Sequence, residues 1–175
     1  EKRVPLICEA FAGLDEQLVV AGDGEQRPTV ERFARENDNI DYRGHVDDIE
    51  SLVGHSRAVV YAPRAEDFGL VGAEAQVAGR PLLGVNEGYT RTQVKTGHGE
   101  TFKPTVDAIR ATVRAFDPAA YDHAEIRADA RRYERDEFQR RLRAIVLGDA
   151  DDGDDADESS ADDEGEGSPT DTTLA

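Results

Sequence analysis

The tightest constraint on this chain is a set of short, wholly apolar runs set apart by segments of helical period. Leu18 to Ala21, Ala58 to Ala62 and Leu82 to Val85 carry no polar residue apart from the Tyr61 hydroxyl and Gly84. A strand apolar on both faces is one covered on both faces, as in a parallel sheet. Between these runs the apolar residues recur at three and four. Val4, Ile7, Ala10, Phe11 and Leu14 predict one helix closed by Gly13, and Val30, Phe33 and Ala34 predict a second that starts at Pro28. Ile49, Leu52 and Val53 mark a small helix, and a longer one runs from Gly69 or Leu70 to Ala78, stopped by Gly79 and Pro81. Val106, Ile109, Val113 and Phe116 lie on one helix face, Asp117-Pro118 opens another helix, and an apolar stripe from Ile126 to Ile145 carries on to Leu147. Ile40 to Arg43 reads as a further short strand. The expected fold is therefore α/β, a doubly wound, Rossmann-like parallel sheet with right-handed crossovers, whose ligands bind beyond the carboxyl ends of the strands.

Composition sets the limits of the domain. The 38% hydrophobic content supports one modest core. Residues 148–175 are almost entirely Asp, Glu, Gly, Ser and Thr, so 1–147 is expected to be the folded domain and 148–175 a disordered acidic tail. The net charge is −17, and apart from Lys2, Lys95 and Lys103 the basic residues are arginines. Such a surface fits a protein adapted to molar salt, where the Debye length falls to about 3 Å and acid–acid repulsion is screened. It also argues against a nucleic-acid partner, which needs a basic footprint. The lone Cys8 allows no internal disulfide, and no run is apolar enough to cross a membrane, so a reduced cytoplasmic setting is expected. The chain has no methionine and opens on Glu1 within helical pattern, which places the expected N-terminus elsewhere.

The chemistry is concentrated in Glu66-Asp67-Phe68-Gly69-Leu70-Val71-Gly72-Ala73-Glu74-Ala75-Gln76-Val77-Ala78-Gly79-Arg80-Pro81. A strand leads into this string and a helix leads out. The helix start presents unpaired N–H groups at Gly69, Leu70 and Val71, with partial positive charge, where a phosphate is held. Gly69 and Gly72 are expected to leave room for a diphosphate. Glu74, one turn in, is placed to accept two hydroxyl hydrogen bonds from a ribose. Glu66, in the preceding loop, reaches another part of the same ligand.

Two glutamates eight apart around Phe-Gly-Leu, then Glu-Ala, then Ala-Gly-x-Pro, resemble the signature of glycosyltransferase family 4, and the likeness extends over residues 1–147. Lys2 stands where a family lysine meets the donor diphosphate. Val19 to Gly24 is similar to the family's strand and glycine loop, with Gly22 and Gly24. Ile40 to Val46, with Gly44 and Val46, is similar to the strand and turn that meet the base. Asn86-Glu87-Gly88-Tyr89-Thr90 resembles the loop of mannosyltransferase-like members, and Arg132 to Phe138 looks like the family's closing helix. The resemblance implies the C-terminal half of a GT-B fold. It would bind a nucleotide-diphosphate sugar as donor, with no further cofactor and no obligatory metal, and transfer the sugar with retention.

On that resemblance Glu66 contacts sugar hydroxyls and Lys2 neutralises the leaving diphosphate. The backbone from Phe68 through Gly69 and Leu70 to Val71 meets sugar and phosphate, and Glu74 holds the ribose. The implied partners are an N-terminal GT-B domain, absent from this sequence, and an acceptor glycan or lipid-linked glycan, with contact to the inner membrane face through that domain. Without the second domain the chain is expected to bind donor and transfer nothing. A non-catalytic nucleotide-sugar-binding module is equally compatible with these residues. The strand–helix order alone also fits receiver or flavodoxin-like domains, which leave the two glutamates unexplained. His55, His98 and His123 have no metal-ligand spacing and read as surface residues, as do Lys95 and Lys103, while His45 is read either at the base pocket or in solvent. Cys8 reads as core filler.

Overall fold

A computed structural model describes residues 2–148. Its elements, in chain order, are α1 (Val4–Phe11), β1 (Leu18–Ala21), α2 (Arg27–Glu36), β2 (Ile40–Gly44), α3 (Ile49–Gly54), β3 (Val59–Tyr61), α4 (Leu70–Val77), β4 (Leu82–Val85), α5 (Gly88–Gln93), β5 (Gly99–Phe102), α6 (Val106–Ala115), α7 (His123–Asp129) and α8 (Arg135–Leu147). Every apolar run has become a strand, and the pairs are parallel throughout. The fold is α/β and Rossmann-like, as the alternation requires. The hydrogen bonds nevertheless divide the strands into two sheets, β1-β2 and β3-β4-β5, where one continuous sheet was expected.

One core underlies both sheets. Ile7, Cys8, Ala10 and Phe11 of α1 meet Leu18, Ile40, Ala62, Leu83, Val85 and Phe102 from the strands and Ile109 and Val113 from α6. On the opposite face Tyr61, Ala75 and Leu82 form a second cluster. Helices therefore cover both faces, and β4 is buried along its whole length. Thr105 caps α6 by accepting from the Ala108 N–H, and Asp122 caps α7 by accepting from Ala124 and Glu125, which draws its carboxyl below the usual range.

Several boundaries differ from the sequence expectation. α1 stops at Phe11, and Leu14 reaches the core from the following turn. Asp117-Pro118 opens only a 3-10 turn, Pro118–Ala120. The stripe from Ile126 to Ile145 is not one helix, because a 3-10 turn at Ala130–Tyr133 and an extended Glu134 interrupt it. Ile126 and Ala130 are buried, whereas Phe138, Leu142 and Ile145 are exposed. β5 was missed because Gly-Glu-Thr-Phe has no apolar pattern; it is recruited through its backbone by β4. α5 occupies what was read as a loop. The chain divides into two compact units, one reaching Phe138 and one beginning at Gln139. The acidic tail expected at 148–175 lies, from residue 149 on, outside the described residues. Among the described residues no helix is long and apolar enough to cross a membrane.

Candidate functional site

Three side chains distant in sequence converge where β3 ends. Lys2, just before α1, donates from Nζ to the Tyr61 hydroxyl at 2.6 Å and to Glu66 Oε2 at 2.8 Å. Tyr61, the last residue of β3, donates to the same Glu66 oxygen at 2.5 Å. Two hydrogen bonds, the one from Lys2 foremost, hold the Glu66 carboxyl down at about 2. Partial burial pulls Lys2 the other way, but its bonds to Glu66 and Tyr61 prevail and raise it, and burial together with the bond to Glu66 raises Tyr61. At neutral pH the group is thus an ammonium, a protonated phenol and a carboxylate. Lys2 keeps 54% of its side chain exposed, so the cation faces solvent as well as its anchor.

Glu66 also organises the helix that follows. Its Oε1 accepts the Gly69 N–H at 3.1 Å, so the carboxylate caps α4 and uses one of the N–H groups that the sequence reading reserved for phosphate. The N–H groups of Leu70 and Val71 have no partner among the described residues and remain available. Gly69 itself adopts φ 72°, and a Cβ there would meet Gln93 Oε1 at 2.9 Å and Glu66 Cγ at 3.3 Å. Gly72 likewise faces Gln93 and Leu82. Both glycines thus answer to the protein's own packing, where the sequence suggested room for a ligand.

The residue that fills that space was not foreseen. Gln93, 1% exposed at the end of α5, donates from Nε2 to the carbonyls of Phe68 at 2.7 Å and Gly69 at 2.9 Å. Its own carbonyl accepts from Gln76 Nε2 at 2.6 Å, and Gln76 Oε1 accepts from Arg132 at 2.8 Å. Arg132 in turn pairs with Asp129. A buried polar chain therefore runs from the 3-10 turn after α7 to the loop before α4. The Phe68 ring stacks on Tyr89 at 5.7 Å and meets the edge of Tyr133 at 6.0 Å. Arg3, beside Lys2, joins the Glu87 carboxylate at 2.7 Å and the Pro63 carbonyl at 3.3 Å. In sequence Gln93 looks like any solvated glutamine. The available clue was its spacing of three from Thr90, which puts both on one helix face, and both are buried.

The other expected residues fall into separate groups. Glu74 is exposed on α4 and forms no side-chain hydrogen bond with another described residue. Leu70, at 66% exposure, and Phe68 and Val71 leave an apolar rim beside it. Gly22, Gly24, Gly44 and Val46 lie beyond β1 and β2: the Gly22 N–H donates to the Gly44 carbonyl at 2.7 Å, and the Gly24 N–H to Asp23 Oδ1 at 2.8 Å. No hydrogen bond among the described residues ties this group to Lys2 and Glu66. His45 is exposed, 3.4 Å from Asp47. His98 is buried and held low, by burial first and then by the Arg132 cation, and His123 bonds the Gly79 carbonyl at 2.7 Å, so neither is the surface residue the sequence suggested. Lys95 pairs with Asp129. Cys8 is fully buried, and burial raises its thiol to about 11, as core filler requires.

A family model described as "Glycosyl transferases group 1" matches residues 1–136. Among curated proteins, the N-acetyl-alpha-D-glucosaminyl L-malate synthase of Bacillus anthracis is 29% identical over 107 residues, which cover 57% of this chain and 28% of the relative. Among solved structures, the apo form of the lipopolysaccharide outer core galactosyltransferase WaaB superposes with a TM-score of 0.70 at 21% identity, over 86% of this chain and 46% of that one. HepE of Anabaena in complex with UDP-glucose superposes with a TM-score of 0.61 at 21% identity, over 85% of this chain and 45% of that one. The chain thus spans 28% of the curated relative and under half of each of these two structures.

Proposed function

Since the chain belongs to the group 1 glycosyl transferases, we propose that it is the donor-binding, C-terminal half of a GT-B enzyme of family 4, which moves a sugar from a nucleotide-diphosphate sugar to an acceptor with retention of configuration. The observation that carries this reading is the Lys2 ammonium, anchored 2.8 Å from Glu66 Oε2 next to the free Leu70 and Val71 N–H groups at the start of α4. Breaking the bond from the sugar to the diphosphate puts negative charge on the leaving group. A fixed cation and a helix N-terminus offset that charge where it develops. Lys2 is neutralised by Glu66 in the unliganded chain, so a diphosphate takes over the ammonium while sugar hydroxyls take over the carboxylate. Glu74, free in solvent, holds the ribose, and the loops bearing Gly22, Gly24, Gly44 and Val46 face the base. An acceptor glycan or lipid-linked glycan, and the exclusion of water, fall to an N-terminal domain. The relatives that contain UDP or UDP-glucose support a nucleotide-sugar ligand.

Calorimetry with UDP and UDP-glucose, within a panel of other nucleoside diphosphates and their sugars, tests the assignment. Glu74→Ala is expected to weaken both ligands by about 1 to 3 kcal/mol, the range for losing hydrogen bonds to a charged group. Glu66→Ala is expected to weaken the nucleotide sugar while leaving the free diphosphate bound at least as well, because Lys2 is released. Unchanged diphosphate binding by Glu74→Ala would remove the ribose assignment, and equal losses of both ligands in Glu66→Ala would remove the sugar assignment.

We further propose a reducing, cytoplasmic, high-salt setting, on the grounds of the lone buried cysteine and the net charge of −17. Between about 0.1 M and about 1 M salt the screening length falls from roughly 10 Å to roughly 3 Å, which removes most of the repulsion among surface carboxylates. The melting temperature is expected to climb steadily between 0.1 M and 3 M potassium chloride. A flat or falling curve in a thermal scan counts against salt adaptation.

A further inference from the structure

β1 pairs only with β2, and β3 only with β4, so each leaves one edge without a strand. Both edges border the same core, because Leu18 and Ile40 cluster with Ala62, Leu83, Val85 and Phe102. Leu18-Val19-Val20-Ala21 and Ala58-Val59-Val60-Tyr61-Ala62 contain no charge and no proline, the residues that blunt a true edge, and have the make-up of strands with neighbours on both sides. They are not buried like such strands: Val19 is 38% exposed, and Val20, Val59 and Val60 are half-buried.

The helices give the direction. α2 connects β1 to β2, α3 connects β2 to β3, α4 connects β3 to β4 and α5 connects β4 to β5, each between parallel strands. α1 leads into β1 with no described strand before it. It packs between α2, which lies on β2, and α6, which lies on β5, yet it has no comparable strand beneath it. At the carboxyl ends of the two open edges a cavity of about 350 Å³ is lined by Gln26 after β1, Arg64 after β3, Arg3, Pro5 and Leu6 at the start of α1, and Pro104.

We propose that the slot between β1 and β3 receives one parallel β-strand, joined to the N-terminal side of α1, and that the cavity takes the turn between that strand and the helix. With α1 and β1 the strand completes a right-handed crossover and merges the two sheets into one. Its turn runs beside Arg3 and Lys2, so filling the slot also shapes the cation site. The backbone identifies the groups that wait for it. The Leu18 and Gly22 N–H groups bond to Asn39 and Gly44, toward β2, which by strand alternation turns the Val19 and Ala21 N–H groups to the slot. The Val59 N–H bonds to Pro81, toward β4, which likewise turns Val60 and Ala62 to the slot.

Residue-resolved amide exchange in molar potassium chloride reads this directly. In the 175-residue chain the amides of Val19, Ala21, Val60 and Ala62 are expected to exchange at least about tenfold faster than those of Val20 and Tyr61. Extending the chain at its N-terminus with an apolar strand of about five residues and a turn of about three is expected to slow all four by at least about tenfold, while a control with proline at alternate strand positions leaves them fast. If the extended chain does not fold, the same apolar strand, added as a free peptide to the unextended chain, must slow the same four amides. The proposal is overturned if the four amides are already as protected as Val20 and Tyr61 in the unextended monomer, or if neither the extension nor the peptide slows them. It is equally overturned if sedimentation shows a dimer that protects them, since a second copy would then occupy the slot.

Discussion

Replacing Gln93 with leucine is expected to destabilise the protein by about 1 to 3 kcal/mol although the side-chain volume is nearly kept, because the buried Phe68 carbonyl loses its donor. The Gly69 carbonyl is less affected, since the Gly72 N–H also reaches it, at 3.0 Å. Gln93→Ala adds a void against Gly72 and Leu82 and is expected to cost about 2 to 5 kcal/mol. The loop from Glu66 to Gly69 hangs on this glutamine, so both variants are also expected to lose affinity for UDP-glucose. Denaturant unfolding with an unchanged slope gives the stability, and calorimetry gives the affinity. A Gln93→Leu protein within about 0.5 kcal/mol of the parent, a difference typical of surface substitutions, would show that the brace does not carry the loop.

Gly99→Ala is expected to cost about 4 kcal/mol or more, enough to unfold a marginally stable domain. Gly99 has φ 152°, and a Cβ there would lie 2.7 Å from the Leu82 carbonyl carbon and 2.8 Å from its nitrogen, closer still to the oxygen. These are backbone atoms of β4, fixed by pairing on both sides, so neither partner yields without breaking the β4–β5 ladder. Gly97→Ala is the matched control: φ is 80° there, but nothing lies within 4 Å, so only the left-handed backbone cost of about 1 to 2 kcal/mol applies. Thermal or denaturant melts of the two variants side by side decide the matter. If Gly99→Ala is no worse than Gly97→Ala, the close approach of β5 to Leu82 is not what demands a glycine.

These two residues mark the limit of what was legible. Gln93 and Gly99 carry no local pattern, since each is needed by a backbone segment to which the chain returns later or earlier. The Lys2–Tyr61–Glu66 group was half legible. Glu66 and Lys2 were found through the family resemblance, but their contact spans 64 residues, and Tyr61 was read only as part of a strand. The helix start at Leu70 was legible because its cause is local, a glycine followed by unpaired N–H groups. That Glu66 would cap it, and so take up the Gly69 N–H, was not.

By itself the sequence determined the class of fold, the places of four strands, most of the helices and the string that carries the candidate site. All of these follow from the spacing of apolar residues along a few turns of chain, where hydrophobic burial dictates the period. Only the tertiary structure decided that β5 exists, that the strands form two parallel sheets with an open edge on each, and that Gln93, Tyr61 and Arg3 meet the loop around Glu66. Those outcomes depend on which backbone groups and polar side chains find partners across tens of residues. Hydrogen bonds of that kind leave no period in the sequence, because any donor brought by the fold to the right place will serve.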